Sequence, residues 1–292
     1  PDWFEIVAAC ASNPEKHQGL SDGSFPITSR WEDVIAADPD IVVSLIGGTD
    51  VAHQAIRAAL GSKSHVVTAN KALVAAHGPE LLAYAKTQGV SFVYSAAVGG
   101  VTPAVERVDQ WAKHPGIQSI RGVINGSCNW ILERIAQGSS FDEALAQAQE
   151  AGYAEADPSL DISGQDSADK LAILIQHAFG VTIPTERIEC TGIDGLDAAQ
   201  VRAAHRSARR IRLVASCIQT SDGLQARVQP ELLPIGHPLA QIRGTGNRVL
   251  IHSTTGEETV VDGAGAGRWP TAESVLGDLL QIAQSITIQA EV

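Results

Sequence analysis

The sequence predicts an α/β fold, with a doubly wound parallel sheet followed by a region of α+β structure. Two patterns carry this prediction. Over residues 1–95, short apolar runs rich in Val and Ile alternate with segments of helical period, which is typical of parallel strands joined by right-handed crossovers. From residue 211 onward, strand-like runs follow one another without predicted helices between them, which favours antiparallel pairing.

Each element is predicted from its apolar period and the turn residues beside it. The run 41–46 is a buried strand closed by Gly47 and Gly48, and 51–60 is a helix because apolar residues recur at helical spacing. The other predicted strands are 4–11, 65–68, 90–94, 120–124, 211–218, 224–228, 248–253 and 258–261. The other predicted helices are 31–37, 79–88, 104–113, 131–137, 141–151, 168–179, 198–206 and 271–285.

A Rossmann-like sheet normally opens with a strand, a glycine-rich turn and a helix whose first amides bind pyrophosphate. The sequence contains no G-x-G-x-x-G, has no methionine, and begins at Pro1. We therefore expect that the first strand and its glycine turn are missing from an N-terminally incomplete chain.

Composition narrows the class of protein. Of 292 residues, 44% are hydrophobic, which is enough to build large cores. A net charge of −12 without a basic run argues against binding to nucleic acid, and no apolar run reaches the roughly 18 residues of a membrane helix. The four cysteines are scattered without a C-x-x-C pair, so we expect reduced thiols in a cytoplasmic protein.

Residues 152–170 carry the densest group of charged side chains that suggests chemistry. The group comprises Glu155, Asp157, Asp161, Asp166 and Lys170. Carboxylates can bind an α-ammonium group while a lysine binds a carboxylate or hydroxyl, so this segment is a candidate amino-acid site. Alone, Asp166 and Lys170 would be read as an exposed ion pair worth about 0.3–0.5 kcal/mol.

Two loops are expected at the carboxyl edge of the parallel sheet, where open α/β sheets bind ligands. Residues 68–71 end in Lys71 directly after a predicted strand, and Gly47 and Gly48 follow the strand before it. Paired glycines allow a ligand to approach the backbone. A solvated lysine and an ordinary tight turn are the simpler readings of these two features.

These segments resemble the motifs of one enzyme family. Residues 45–48, 66–73, 96–103, 125–132, 152–170 and 263–271 are similar, in this order, to segments of the homoserine dehydrogenases. The resemblance implies NADP- or NAD-dependent interconversion of L-homoserine and L-aspartate 4-semialdehyde, in the biosynthesis of threonine, methionine and isoleucine. It also implies a nucleotide-binding domain over 1–95, completed by a helix over 268–292, and a substrate-binding and dimerisation domain over 96–267 of a homodimer.

The resemblance also implies roles for individual residues. Lys71 is the candidate proton-transfer residue, with its pKa lowered towards neutrality by burial and neighbouring cations, while Lys170 and Asp166 orient the hydroxyl. The implied substrate-binding residues are Asn125, Gly126, Ser127, Tyr153, Glu155, Asp161, Asp166 and Lys170. The implied cofactor-binding residues are Gly47, Gly48, Thr68, Asn70, Lys71, Gly265, Gly267 and Thr271.

Some members of the family bind a monovalent cation, Na⁺ or K⁺, through backbone carbonyls that fall here on Val98, Gly100 and Thr102. This sequence departs from the family pattern at Ser95 and Ser44, where glutamate is expected. Loss of a carboxylate should weaken a cation site, because hard cations favour anionic oxygens.

Three questions stay open at this level. The choice between NADP and NAD is one, because in residues 10–16 we identify neither the acidic residue expected to bond a ribose 2′-hydroxyl nor an arginine for a 2′-phosphate. A related amino-acid dehydrogenase on the same scaffold is the second. A non-catalytic homologue, acting as a binding or dimerising module, is the third, and Ser44 and Ser95 are among its support.

Overall fold

The computed structural model describes residues 3–21, 23–98, 100, 102–264 and 268–290. The strands are β1 (Ala9–Cys10), β2 (Ile27–Thr28), β3 (Ile41–Ser44), β4 (His65–Thr68), β5 (Phe92–Val93), β6 (Ile117–Val123), β7 (Glu189–Cys190), β8 (Arg209–Thr220), β9 (Gly223–Pro234), β10 (Gly246–Ser253) and β11 (Glu258–Ala264). The helices are α1 (Trp31–Ala36), α2 (Asp50–Gly61), α3 (Lys71–Gln88), α4 (Ala104–Lys113), α5 (Gly126–Gln137), α6 (Phe141–Glu150), α7 (Ser159–Ile162), α8 (Gln165–Phe179), α9 (Ala198–Arg206) and α10 (Arg268–Ala290).

The first part of the chain builds a parallel α/β unit. Strands β3, β4 and β5 pair in parallel in that order, and β1 and β2 form a separate parallel pair. Helix α2 turns its apolar stripe, including Ile56 and Leu60, into the core. The parallel strands with helices between them confirm the α/β prediction.

The second part is built on a six-stranded sheet with the order β11-β10-β6-β8-β9-β7. All neighbours pair antiparallel except β7 and β9, which are parallel. Alternate residues of β8 separate two cores: Leu213 and Ala215 join the main core, whereas Val214 joins a smaller cluster with Leu239 and Leu250. The α+β prediction for this region is therefore confirmed.

The prediction of a buried strand over 4–11 is wrong. Only Ala9–Cys10 forms a strand, and Phe4, Ile6 and Val7 are 38%, 59% and 41% exposed. In the part of the chain that the structure describes, β1 has β2 as its partner, so the apolar side chains before it have no sheet to cover them.

Two helices that flank the site begin earlier than predicted. Helix α3 begins at Lys71 and runs through Pro79, because burial of Leu73 and Leu81 on both sides of the proline favours one continuous helix. Helix α5 begins at Gly126, directly after the capping residue Asn125. Both changes place a predicted site residue at a helix start. No helix among the described residues is long and apolar enough to cross a membrane.

Candidate functional site

The centre of the site is Asp166, which forms ion pairs with two lysines from different parts of the fold. Lys170 Nζ lies 2.7 Å from Asp166 Oδ2, one turn along α8, and Lys71 Nζ lies 2.9 Å from Asp166 Oδ1. Lys170 also donates to the carbonyl of Ile124 at 3.0 Å, at the end of β6. Asp166 and Lys170 are buried, whereas the Lys71 side chain is 35% exposed. Lys71 is therefore the ammonium group of the two that is more accessible to a ligand.

Asn125 fixes the carboxylates at this centre. Its Nδ2 donates to Asp161 Oδ1 at 2.7 Å and to Asp166 Oδ2 at 2.8 Å. Its Oδ1 accepts the backbone N–H of Cys128 at 2.8 Å, which caps α5. One side chain thus joins the start of α5 to carboxylates of α7 and α8.

The charges of this cluster perturb one another. Burial alone would raise the pKa of Asp166, but the charges and hydrogen bonds of Lys170 and Lys71 outweigh burial and lower that pKa to about 2. Burial and the nearby charge of Asp166 raise the pKa of Asp161. The sequence does not single out Asp169, which is also buried and has a raised pKa, mainly from burial. The sequence feature that could have identified Asp169 is its position directly before Lys170 on α8.

The expectation that the pKa of Lys71 is lowered is wrong for the free protein. Burial acts in that direction, but Asp166, Asp161 and Asp169 together raise the pKa of Lys71 above its ordinary value. Distances between side chains cannot be read from the sequence. In the structure, the attraction of the nearby carboxylates for the Lys71 ammonium outweighs the effect of burial, which favours the neutral amine. In the free protein these carboxylates therefore favour the protonated form of Lys71.

The remaining predicted substrate residues occupy two environments. Gly126 is in close contact with Thr245, whose carbonyl oxygen would lie 2.5 Å from an added Cβ, so the start of α5 has no room for a side chain there. Ser127 donates its hydroxyl to the carbonyl of Tyr153 at 2.5 Å. Tyr153 is 37% exposed and packs at a tilt against Trp130.

Two of the predicted carboxylates lie apart from the centre. Glu155 is exposed, and its carbonyl accepts a hydrogen bond from Gln149. Asp157 is also exposed and accepts the N–H of Ser159, which lowers the pKa of Asp157. Asp157 thus stabilises the turn that leads into the short helix α7, and Glu155 lies in the exposed segment before that turn.

The predicted cofactor residues form a braced turn at the carboxyl edge of the parallel sheet. Asn70 donates to the carbonyls of Ile46 at 2.8 Å and Gly48 at 2.6 Å, and its Oδ1 caps α3. Thr68 is fully buried and donates to the carbonyl of Ser44 at 2.8 Å. Thr68 and Asn70 therefore hold the turn in place, and the glycines at its tip are exposed.

The glycine turn leaves its backbone open to solvent. Gly48 has a φ of +74°, and neither Gly47 nor Gly48 has an atom within 4 Å of the position a Cβ would take. Such a backbone allows close approach of a flat or charged group. Thr271 lies in the first turns of α10, whereas Gly265 and Gly267 lie outside the described residues.

The three residues of the predicted cation site are all buried. Thr102 is buried, and its hydroxyl has no hydrogen-bond partner, while Val98 is fully buried and Gly100 packs against the carbonyl of Ala264. The backbone N–H of Ser95 donates to the buried carboxylate of Asp278 at 3.0 Å.

Asp278 therefore places a carboxylate beside the serine that replaces the expected glutamate. Burial raises the pKa of Asp278, and the Ser95 hydrogen bond partly opposes that rise. Together with the orphaned Thr102 hydroxyl, this carboxylate gives a donor set of the kind that a hard cation prefers.

The chain matches family models and curated proteins over nearly its whole length. The family model described as homoserine dehydrogenase matches residues 103–280, and the model described as homoserine dehydrogenase, NAD binding domain, matches residues 3–95. The homoserine dehydrogenase of Synechocystis sp. is 41% identical over 295 residues, covering 99% of this chain and 68% of the relative. That of Pseudomonas aeruginosa is 38% identical over 288 residues, covering 98% of this chain and 65% of the relative.

Solved structures of homoserine dehydrogenases also superpose on this chain. A homoserine dehydrogenase from Thiobacillus denitrificans superposes with a TM-score of 0.90 at 38% identity, covering 97% of this chain and 66% of that one. A hyperthermophilic archaeal homoserine dehydrogenase in complex with NADPH superposes with a TM-score of 0.78 at 28% identity, covering 93% of this chain and 82% of that one. The chain spans about two thirds of the length of the two bacterial relatives and of the Thiobacillus protein.

The parallel sheet carries a lysine and an open glycine turn at its carboxyl edge, and a carboxylate–lysine cluster from the second region faces them. This architecture is that of a dinucleotide-dependent dehydrogenase. The matched models and relatives narrow this class. The chain belongs to the homoserine dehydrogenase family.

Proposed function

We propose that this protein interconverts L-homoserine and L-aspartate 4-semialdehyde with NADP or NAD as the hydride carrier. The observation that carries the proposal is the contact of Asp166 with both Lys71 and Lys170. It joins a proton-bearing group at the edge of the parallel sheet to a buried charged pair in the second region. Family membership supplies the identity of the substrate.

The charge balance of the cluster suits an amino-acid substrate. Asp161, Asp166 and Asp169 oppose the two ammonium groups of Lys71 and Lys170, which leaves an excess of negative charge when all are ionised. A substrate α-ammonium offsets that excess. The exposed Glu155 and Tyr153 lie on the segment leading into the cluster, and we assign them to the entrance of the substrate site.

In the direction of aldehyde reduction, Lys71 acts as the general acid. Its raised pKa keeps it protonated, and its Nζ gives a proton to the carbonyl oxygen as that oxygen becomes the hydroxyl of homoserine. A nicotinamide cofactor, when bound, supplies the hydride. In the reverse direction Lys71 must first lose its proton, because it then accepts the hydroxyl proton while the hydride passes to the cofactor.

The cofactor is assigned to the edge of the parallel sheet. Gly47 and Gly48 present backbone to the ligand, and Asn70 holds that turn in place next to Lys71. Asn70 therefore sets the distance between the cofactor and the proton donor. The assigned contacts also include Thr271, with Thr68 acting through the turn.

Four further assignments belong to the proposal. Residues 1–95 with the C-terminal helix form the nucleotide domain, and 96–267 form the substrate and dimerisation domain. The protein is a homodimer, and exposed Leu232, Ile235 and Val260 on the second region support an interface there. It is a cytoplasmic biosynthetic enzyme that binds no nucleic acid, with the free state of its cysteines and its acidic charge as support. A monovalent cation binds near Gly100 and Thr102.

The test is reduction of aspartate semialdehyde, followed by loss of the nicotinamide absorbance, in the parent protein, Lys71→Ala and Lys86→Ala. Lys86 is an exposed lysine of the same helix and serves as the matched control. We expect kcat to fall about 100-fold or more in Lys71→Ala and to stay at the parental value in Lys86→Ala. The parent is assayed both as this chain and as an N-terminally extended form. Absence of turnover in both forms, in a folded protein that binds homoserine, would contradict the proposal and favour a non-catalytic homologue.

A further inference from the structure

Two imidazoles and a carboxylate meet on the outer surface of helices α2 and α3. His53 lies in the first turn of α2, and His77 and Glu80 lie three residues apart on α3, so that they share a face. His53 Nε2 is 3.1 Å from Glu80 Oε2, and His77 Nδ1 is 4.0 Å from the same oxygen. One ligand atom from each residue lies within 4.8 Å of the other two.

We propose that His53, His77 and Glu80 bind a divalent transition-metal ion such as Zn²⁺. Two histidines and one carboxylate are a common set of zinc ligands that leaves one position for water. Ligand atoms bonded to tetrahedral zinc at about 2.0–2.2 Å lie about 3.3–3.6 Å from one another. The His53–Glu80 distance is already close to that value, and His77 Nδ1 needs to move about half an ångström towards Glu80 Oε2. The ligand atoms of the two histidines, which lie within 4.8 Å of each other, must also approach to this separation.

The exposure of the three side chains permits that adjustment. The side chains of His53, His77 and Glu80 are 24%, 38% and 49% exposed. The ion therefore has an open path from solvent, and the rings are free to rotate as it binds. The two imidazole rings already lie with their centroids 4.4 Å apart.

Arg57 defines which carboxylate oxygen is used. Its NH1 donates to Glu80 Oε1 at 2.7 Å while the guanidinium stacks over Tyr84. Oε2 is thus left facing the two histidines, and Arg57 orients Glu80 as an outer hydrogen-bond partner of a metal ligand. The positive charge of Arg57 opposes the ion, so we expect weaker binding than at an enclosed structural zinc site.

A bound ion would cross-link two helices that each begin at the candidate active site. Helix α2 begins two residues after Gly48, and α3 begins at Lys71 itself. The ion would tie the first turn of α2 to a point on α3 about two turns after Lys71. This site is separate from the predicted monovalent-cation site, and its existence does not depend on the proposed activity.

The test is calorimetric titration of the chelator-treated protein with Zn²⁺ at neutral pH. All proteins carry Cys10→Ser and Cys190→Ser, because exposed thiolates also bind zinc. His53→Gln and His77→Gln are compared with His17→Gln, a control at an exposed histidine outside the cluster.

We expect one equivalent of Zn²⁺ in the parent and in His17→Gln, with affinity about tenfold or more lower in each cluster variant. Zinc should also raise the thermal unfolding midpoint of the parent and the control, but not that of the cluster variants. Zinc binding at parental affinity in both cluster variants, or absence of a one-equivalent site in the parent, would overturn the proposal. If one of the two cluster variants did not fold, the zinc affinity of the remaining variant would decide the outcome.

Discussion

Lys71 Nζ lies 2.9 Å from Asp166 Oδ1, which joins the first residue of α3 to the first turn of α8. Asp166 is 4% exposed and also holds Lys170. The carboxylate thus ties the two lysines together, and its charge opposes the loss of the Lys71 proton that burial alone would favour. Substitutions around this contact should separate its contribution to stability from its contribution to catalysis.

Asp166 should make stability depend on acid pH. Its pKa is about 2 in the folded protein against an ordinary value of 3.8, so its contribution is complete above about pH 4 and is lost as pH falls towards 2. The shift corresponds to about 2 kcal/mol. In urea unfolding experiments, the stability difference between the parent and Asp166→Asn should shrink by about that amount over this range. A difference that stays constant over this pH range would contradict the pairing.

Asn125→Ala should impair both folding and substrate binding. The change removes the cap of α5 and two hydrogen bonds to Asp161 and Asp166, which should cost about 2 kcal/mol of unfolding free energy and raise KM for homoserine. Ser140→Ala is the matched control, since Ser140 caps α6 away from the site. It should lose about 1 kcal/mol of stability and keep the parental KM. Equal KM in the two variants would exclude the role given to Asn125.

Asn70→Ala should act on the cofactor more than on the substrate. Its side chain fixes the carbonyls of Ile46 and Gly48, so its loss frees the turn assigned to the cofactor. We expect KM for the nicotinamide cofactor to rise about tenfold, with a smaller change in KM for homoserine. Asp197→Ala, which removes the cap of α9, controls for loss of a helix cap. The reverse order of effects would place Asn70 at the substrate instead.

Gly126→Ala should displace the start of α5. An added Cβ would lie 2.5 Å from the carbonyl oxygen of Thr245, so backbone must move. We expect a loss of about 1–3 kcal/mol and a raised KM for homoserine, because Asn125 moves with the helix start. Gly195→Ala, where no atom lies within 4 Å of the added methyl, should change neither quantity. Steady-state kinetics and thermal unfolding measure both effects.

The sequence predicted most elements of the fold because their apolar periods agree with the packing that the chain adopts. Strand β4 and helix α4 have the predicted bounds, whereas the strand predicted over 4–11 shortened to two residues. Apolar composition alone does not provide a partner strand. Pro79 was read as a helix start, although packing of residues on both sides carries α3 through it.

The candidate site was predictable as a set of residues but not as an electrostatic arrangement. The resemblance of its motifs to those of the homoserine dehydrogenases indicated Lys71, Asp166 and Lys170, and Asp166 contacts both lysines in the structure. The direction of the Lys71 pKa shift required distances to carboxylates that the sequence does not contain. Asp278 beside Ser95 escaped prediction for the same reason, because a long-range contact supplies it. The functional roles of these residues stay predictions.

The most direct test of the central claim is the titration of Lys71 itself, followed by NMR of protein labelled with ¹³C at the lysine ε-carbons. The Lys71 signal is assigned by its loss in Lys71→Arg, and its shift is recorded from about pH 6 to about pH 10. The structure predicts no titration of Lys71 in this range, because nearby carboxylates raise its pKa above the ordinary value. A midpoint near neutrality would contradict the account, since Lys71 would then be a base in the free protein rather than a proton donor held by Asp166.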